Sequence, residues 1–326
     1  MTHESDSSTP VTRDAIAALY DRPLLDLVFL AGHTHRKYRD STQVQCAALL
    51  SVKTGGCPED CAYCPQSAHH KTGVEASKLM DVADVRAAAR KALENGADRF
   101  CLGAAWREVS DNDEFAQILE MVQSVKALGL ETCATLGMLE RHQAQKLREA
   151  GLDYYNHNLD TGPAFYGNII GTRTYDDRRR TLQTARQAGL KLCCGGILGM
   201  GEEHGDRIDL LYELASQDPQ PESVPINTLV PVEGTTLAEQ DPVPWEDLVR
   251  MVAVARILMP RTWVRLSAGR RELTEPTQAL CFLAGADSIF LGDQLLTTPN
   301  PEASTDQSLL ARLGLHKLRE APNSSP

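Results

Sequence analysis

The chain has no long apolar run. No stretch approaches the roughly 20 consecutive apolar residues that a membrane helix needs. It also lacks a basic excess: 33 Lys and Arg stand against 44 Asp and Glu, a net charge of −11 with histidine neutral. That balance removes the electrostatic basis for non-specific nucleic-acid binding. The opening residues, MTHESDSSTP, are polar and have no apolar centre, so no secretory signal is expected. The expectation is a cytoplasmic protein that engages neither membrane nor nucleic acid. An even set of cysteines is missing as well. There are nine: Cys46, Cys57, Cys61, Cys64, Cys101, Cys133, Cys193, Cys194 and Cys281. An odd number in a long chain without an export signal makes a poor disulfide framework. In a reducing compartment, clustered thiols are more often metal ligands or catalytic groups.

What the chain does have is ordinary globular material. Its 326 residues are 42% apolar and 24% charged, as in a typical globular domain. Apolar runs recur along most of the length, which excludes a disordered chain. The length allows one large barrel or two average domains.

Short strand-like runs fall near 44–52, 98–103, 131–136, 153–159, 190–198, 223–230, 262–267 and 287–291. Between them lie amphipathic segments near 81–95, 113–128, 139–150, 174–188, 205–216, 245–259 and 274–284. Several of these end in glycine (Gly96, Gly129, Gly151, Gly189, Gly285), the signature of a helix stop. Ahead of the alternation, Thr12 can cap a helix carrying Ile16, Leu19 and Tyr20, and Pro23 permits a second helix start. Strand and helix signals in alternation predict a (β/α)8 barrel, with a doubly wound open sheet as the competing fold. The implied division is a tail and helical extension over 1–43, the barrel over 44–292, and a C-terminal segment with a disordered tail over 293–326. Residues 1–11 are expected to be disordered.

Cys57, Cys61 and Cys64 form a C-x3-C-x2-C run directly after Gly55-Gly56. The glycines and Pro58 disfavour helix there, so a loop can turn three thiols inward. Thiolates are soft ligands suited to iron–sulfur clusters or zinc. With three ligands on a four-iron cluster, one iron stays open to a small molecule. A zinc site completed by His69 or His70 is the alternative, and plain buried thiols are a third reading. In a barrel this loop lies at the C-terminal rim, where such folds build their sites.

Cys101, Cys133 and Cys193 fall in the second, third and fifth predicted strands, at spacings close to one and two repeats. Arg265 falls in the seventh. If all four face inward at one height they converge in the lumen; otherwise the cysteines are small buried hydrophobes. Polar residues also crowd the end of the fourth strand: Asn156, His157, Asn158 and Asp160. Such groups bind something or form turns. The run Gly195 to Gly201 is a glycine-rich turn that lets backbone approach a ligand.

The cysteine loop, with an aromatic before its last thiol, resembles the signature of radical S-adenosylmethionine (SAM) enzymes. The run TGGCPEDCAYCPQSAHH is similar to that of the biotin synthases within this superfamily. So are YYNHNLDT (154–161), CGGILGMGE (194–202), VPINTLVPVEGT (224–235), VRLSAGR (264–270) and LTTPNP (296–301). The likeness runs from about Asp21 to about Gly314. It implies sulfur insertion into dethiobiotin to form biotin, the last step of biotin biosynthesis. It implies a 4Fe–4S cluster on Cys57, Cys61 and Cys64. A 2Fe–2S cluster would sit on Cys101, Cys133, Cys193 and Arg265, although a protonated guanidinium has no free lone pair. SAM would lie against Tyr63, Asn158, Asp160, Arg178, Ile197 and Val230. The ureido ring of dethiobiotin would meet Asn156, Asn158 and Asn227. No side chain beyond the cofactors is expected to be catalytic, because the C–H bonds attacked are too strong for acid–base chemistry. A flavodoxin or ferredoxin-type electron donor and a homodimer follow from the same resemblance. Cys46, Cys194 and Cys281 are read as packing residues. A radical SAM enzyme of this fold that inserts no sulfur, and a zinc-stabilised binding protein, are the alternatives.

Overall fold

The computed structural model describes residues 11–319. The expected disorder of the first ten residues and of the last seven lies outside the described residues. Two helices lead the chain, α1 (Arg13–Tyr20) and α2 (Leu24–Tyr38). The side chain of Thr12 accepts the Ala15 N–H and caps α1, as its position predicts.

The alternation then runs β1 (Gln43–Lys53), α3 (Val82–Glu94), β2 (Arg99–Ala104), α4 (Asp113–Lys126), β3 (Glu131–Thr135), α5 (Arg141–Glu149) and β4 (Tyr154–Asn156). It continues with α6 (Pro163–Tyr166), α7 (Tyr175–Gln187), β5 (Lys191–Cys193), β6 (Gly196–Leu198), α8 (His204–Ala215) and β7 (Ser223–Thr228). The last elements are α9 (Trp245–Leu258), β8 (Trp263–Leu266), α10 (Glu275–Leu283), β9 (Ser288–Leu291), α11 (Ala303–Arg312) and β10 (His316–Lys317). All barrel pairings are parallel, and β1 pairs with both β2 and β9, which closes the sheet on itself. The fold is therefore the (β/α)8 barrel, not the open sheet. All five helix-stop glycines have positive φ, between 80° and 101°, the left-handed conformation that glycine adopts without penalty.

Two strand expectations need correction. The run 190–198 is not one strand: it splits into β5 and β6. Both halves pair with β7, Cys193 opposite Ser223 and Gly196 opposite Ile226. Pro225 of β7 falls opposite the break and has no N–H to donate. A Cβ on Gly195 would lie 1.9 Å from the Pro225 carbonyl oxygen, so the two backbones meet too closely for any side chain. The run 153–159 keeps ladder geometry only over Tyr154–Asn156. Beyond it, Leu159 and Asp160 both donate to Gly195 O, and Asp160 adopts φ 69°. Within the C-terminal segment α11 and β10 form, and β10 extends the sheet beside β1. Buried Arg270 pairs with buried Asp306, which ties α11 to the barrel.

Alternation along each strand sorts side chains between lumen and helix layer. The apolar interior accordingly divides in two. The larger cluster lies between strands and helices and includes Cys46, Cys194 and Cys281. The smaller consists of Ala47, Cys101, Cys133, Tyr154, Cys193, Phe290 and Leu295. At the N-terminal end, buried Asp287 accepts from Val264 N–H at 2.8 Å and pairs with Arg256 at 2.9 Å and with Arg39. That joins α2 and α9 to the barrel floor.

Candidate active site

The three loop cysteines follow β1 at the C-terminal rim. Cys57 N–H donates to Gln66 O at 3.0 Å, Ala68 N–H to Cys57 O at 2.7 Å, and Cys64 N–H to Cys61 O at 3.0 Å, so the loop is folded back on itself. Both histidine alternatives are used otherwise. His69 Nε2 lies 3.1 Å from Pro58 O and His70 Nε2 3.0 Å from Cys61 O, so each ring braces the loop through a backbone carbonyl. Among the described residues no three His, Cys, Asp or Glu side chains converge as a single-ion site does. An iron–sulfide core is larger and takes its ligands from farther apart.

Burial pushes the loop thiols up: Cys57 is raised, Cys64 is pushed up to about 11 and Cys61 to about 12. They are neutral as free thiols, and a cationic iron core is what would draw off their protons. Arg173 reaches Cys61 Sγ at 3.9 Å.

Deeper in the barrel, Cys101 and Cys133 stand opposite each other on β2 and β3, and Cys193 on β5 packs with both. Cys133 dominates the acidity of the other two. Interaction with Cys101 and Cys193, then burial, pushes Cys133 well up. Interaction with Cys133 pulls Cys101 and Cys193 down against the burial penalty, with Arg265 and Arg99 adding to the pull. The outer thiols behave oppositely: burial drives Cys46 and Cys281 up to about 12, and Cys194 up as well. Arg265 is fully buried. Its Nε donates to Ser288 Oγ at 2.8 Å and its Nη2 to Gln45 Oε1 at 3.0 Å, while Nη1 lies 3.9 Å from Cys193 Sγ. The four lumen residues therefore do converge.

A cavity of about 300 Å³ joins the two sets of thiols. Its wall includes Cys57, Cys61 and Cys64 from the loop, and Cys193 and Arg265 from the lumen. Cys101 and Cys133 are not on its wall but pack with Cys193, which is. Tyr63, Asn158, Asp160, Arg178, Ile197 and Val230 all line this cavity, as do Asn156 and Asn227. A wider cleft of about 900 Å³ on the outside holds no cysteine and shares only Leu49, Leu295, Leu296 and Thr297 with the inner one.

The polar groups are held in fixed positions. Tyr63 OH donates to Asp160 Oδ2 at 3.0 Å, and Arg178 pairs with the same carboxylate oxygen. Arg178 also donates to Tyr166 OH at 2.9 Å and to Asn158 O at 2.7 Å. Asn158 Oδ1 accepts the Gly195 N–H at 3.1 Å. Asn227 is less free than its sequence position suggests: Nδ2 donates to Gly196 O at 2.9 Å and Oδ1 accepts from Ala268 N–H at 3.1 Å. One N–H and one lone pair remain. Asn156 Oδ1 and His157 Nε2 are buried without a partner among the described residues. Unpaired buried polar atoms are costly, and a bound polar ligand would satisfy them. Burial, then Arg178 and Arg173, holds His157 neutral. Arg173 and Thr297 also line the cavity. The sequence reading gave neither a role: Arg173 sits in no clustered pattern, and Thr297 was noted only as part of the LTTPNP run.

Comparison with known proteins gives the same picture. Residues 51–215 match the Radical SAM superfamily model, and residues 225–316 match the Biotin and Thiamin Synthesis associated domain. Biotin synthase from Paraburkholderia phymatum is 61% identical over 300 residues, covering 92% of this chain and 85% of its own. That from Acidiphilium cryptum is 61% identical over 303 residues and covers 93% of each chain. The chain belongs to the biotin synthase family. It is a radical SAM enzyme and a sulfurtransferase, and its cofactors are those of biotin synthase: a 4Fe–4S cluster, a 2Fe–2S cluster and SAM. Among solved structures, methylornithine synthase superposes with TM-score 0.80 at 18% identity, covering 96% of this chain and 95% of its own. The FeFe-hydrogenase maturase from Carboxydothermus hydrogenoformans superposes with TM-score 0.79 at 14% identity, covering 94% and 76%. At that identity the likeness is one of fold. The two matched regions of the biotin synthase family member meet between α8 and β7, inside the one barrel. No helix among the described residues is long and apolar enough to cross a membrane.

Proposed function

We propose that the cavity between the two sets of thiols is where this biotin synthase family member forms biotin from dethiobiotin, with its residues divided by depth. The observation that carries this reading is the placement of the loop thiols and of Cys193 and Arg265 on the wall of one cavity. Cys57, Cys61 and Cys64 hold the 4Fe–4S cluster, and Cys101, Cys133, Cys193 and Arg265 hold the 2Fe–2S cluster. When bound, the first cluster and SAM supply a carbon-centred radical, and the second cluster supplies sulfide.

The protein's part is position and exclusion of water. Asp160, fixed by Tyr63 and Arg178, accepts the ribose hydroxyls of SAM. Ile197 and Val230 pack on its adenine. Asn156, whose amide oxygen is otherwise unpaired, and the free valences of Asn158 and Asn227 read the ureido ring from between. The barrel wall keeps bulk water from the radical.

The same reading includes a flavodoxin or ferredoxin-type donor, a cytoplasmic location and a homodimer. Leu25 and Phe29, one helical turn apart on α2, are each 75% exposed, and an apolar pair of that kind supports a second copy as cover. The lumen thiols disfavour a radical SAM enzyme without sulfur insertion, which needs the loop cluster alone. Anaerobic reconstitution with iron and sulfide, followed by incubation with SAM and dethiobiotin, tests the proposal. The expected result is biotin at the expense of the second cluster; SAM cleavage without biotin would favour the alternative.

A further inference from the structure

Arg99 lies in the lumen two residues before Cys101 on β2, hence on the same face and about 7 Å nearer the barrel floor. It is fully buried. Its Nε and Nη2 donate to Glu131 Oε2 at 3.2 and 3.0 Å. Its guanidinium carbon stands 3.4 Å from the centre of the Tyr154 ring, which packs with Cys101, Cys133 and Cys193. Nη1 is buried with no hydrogen-bond partner among the described residues.

A floor-closing ion pair explains only half of this arrangement. Glu131 takes Nε and Nη2, yet it is 37% exposed while Arg99 is not exposed at all. The guanidinium has been carried past its carboxylate into the layer beneath the thiols. An arginine guanidinium keeps its proton in proteins, so this side chain brings a fixed positive charge into that layer. Three thiolates around an iron–sulfide core form an anionic centre, and burying such a centre is unfavourable without nearby cations. Arg265, read as a ligand, would bind through a neutral nitrogen with a free lone pair and so supplies none.

We propose that Arg99 is the compensating cation of the inner centre, a positioning residue that offsets its charge from below and raises its reduction potential. The inference rests on the reading of Cys101, Cys133 and Cys193 as ligands of a second cluster. The direction follows from electrostatics: adding an electron makes the centre more negative, and a fixed positive charge favours that state.

The test uses the anaerobically reconstituted holoenzyme, with iron and sulfide content and the midpoint potential of the inner centre as readouts. Arg99→Met should shift the midpoint to more negative values, and Arg99→Lys should restore most of the shift. Glu131→Gln, which removes the opposing anion at a partly exposed position, should shift it to more positive values. A purely structural role would not produce shifts of opposite sign. If Arg99→Met does not fold, Arg99→Gln, which keeps hydrogen-bond donors for Glu131 and removes the charge, decides by the same negative shift. Full iron content with unchanged potentials would overturn the inference and leave the ligand reading standing. Wild-type protein that takes up iron only in the loop would overturn the ligand reading, and this inference with it.

Discussion

Cys101 of β2 stands directly opposite Cys133 of β3, and both face the lumen, while Cys194 faces the helices although it directly follows lumen-facing Cys193. Adjacent strand residues point to opposite sides, so one position separates a ligand from a packing residue. Cys133→Ala should therefore lower the iron of reconstituted protein by about a third, ~2 of ~6 atoms per chain. Cys194→Ala should leave iron unchanged. Iron analysis of the two variants side by side checks this, and equal iron in both would remove the basis for the inner centre.

Asp160 holds a left-handed φ of 69° and receives both Tyr63 and Arg178. Asparagine tolerates that backbone conformation better than alanine does. Asp160→Asn should then keep the fold of the turn but leave Arg178 without its anion and SAM without a charged acceptor. A charge-assisted hydrogen bond contributes about 1.5–3 kcal/mol, so SAM affinity should fall by roughly ten- to a hundredfold. Equilibrium dialysis of SAM against the reconstituted protein measures it. Wild-type affinity in the variant would take Asp160 out of the SAM site.

The repeat of strand, helix and stop glycine was legible because each βα unit carries the same punctuation. So was the loop triad, whose polar setting around Pro58, Glu59 and Asp60 marks it off from core. The facing of the strand cysteines was not. Barrel strands are buried on both sides, which erases the alternation of polar and apolar residues that would show which side is which. Arg99 looked like any charge at a strand start. Asn227 looked free because backbone partners leave no trace in its own sequence neighbourhood. The elements of the C-terminal segment were not legible because α11 is short and carries a buried aspartate, Asp306, whose partner Arg270 is distant in sequence. The break between β5 and β6 depends on Pro225, a residue of another strand.

That break makes Gly195 a sensitive position. Its backbone passes so close to Pro225 that an added Cβ would meet the carbonyl oxygen at 1.9 Å. Its N–H also serves Asn158 at 3.1 Å, so the strain would pass into the cavity wall. Gly195→Ala should cost about 3 kcal/mol, at the upper end for overpacking. Urea unfolding of the apoprotein should show a lower midpoint with an unchanged slope. A loss below about 0.5 kcal/mol would mean that β5 and β6 can separate without cost.

The barrel floor supplies a pH-dependent prediction. Asp98 accepts the Cys46 N–H at 2.8 Å. Burial nevertheless raises its carboxyl from 3.8 to about 6. The folded protein thus binds this proton more tightly than the unfolded chain does. The stabilisation from Asp98 is complete below pH 3.8 and is lost as pH rises through about 6. At neutral pH the group is charged and incompletely solvated. Asp98→Asn keeps the acceptor oxygen for Cys46 and removes the charge. The variant should match the wild type in urea midpoint near pH 4 and exceed it at pH 7, by about 1–2 kcal/mol once solvent screening is allowed for. Unfolding curves at several pH values across that window check it. A difference of the same size at both ends would mean that the effect comes from packing and not from the proton.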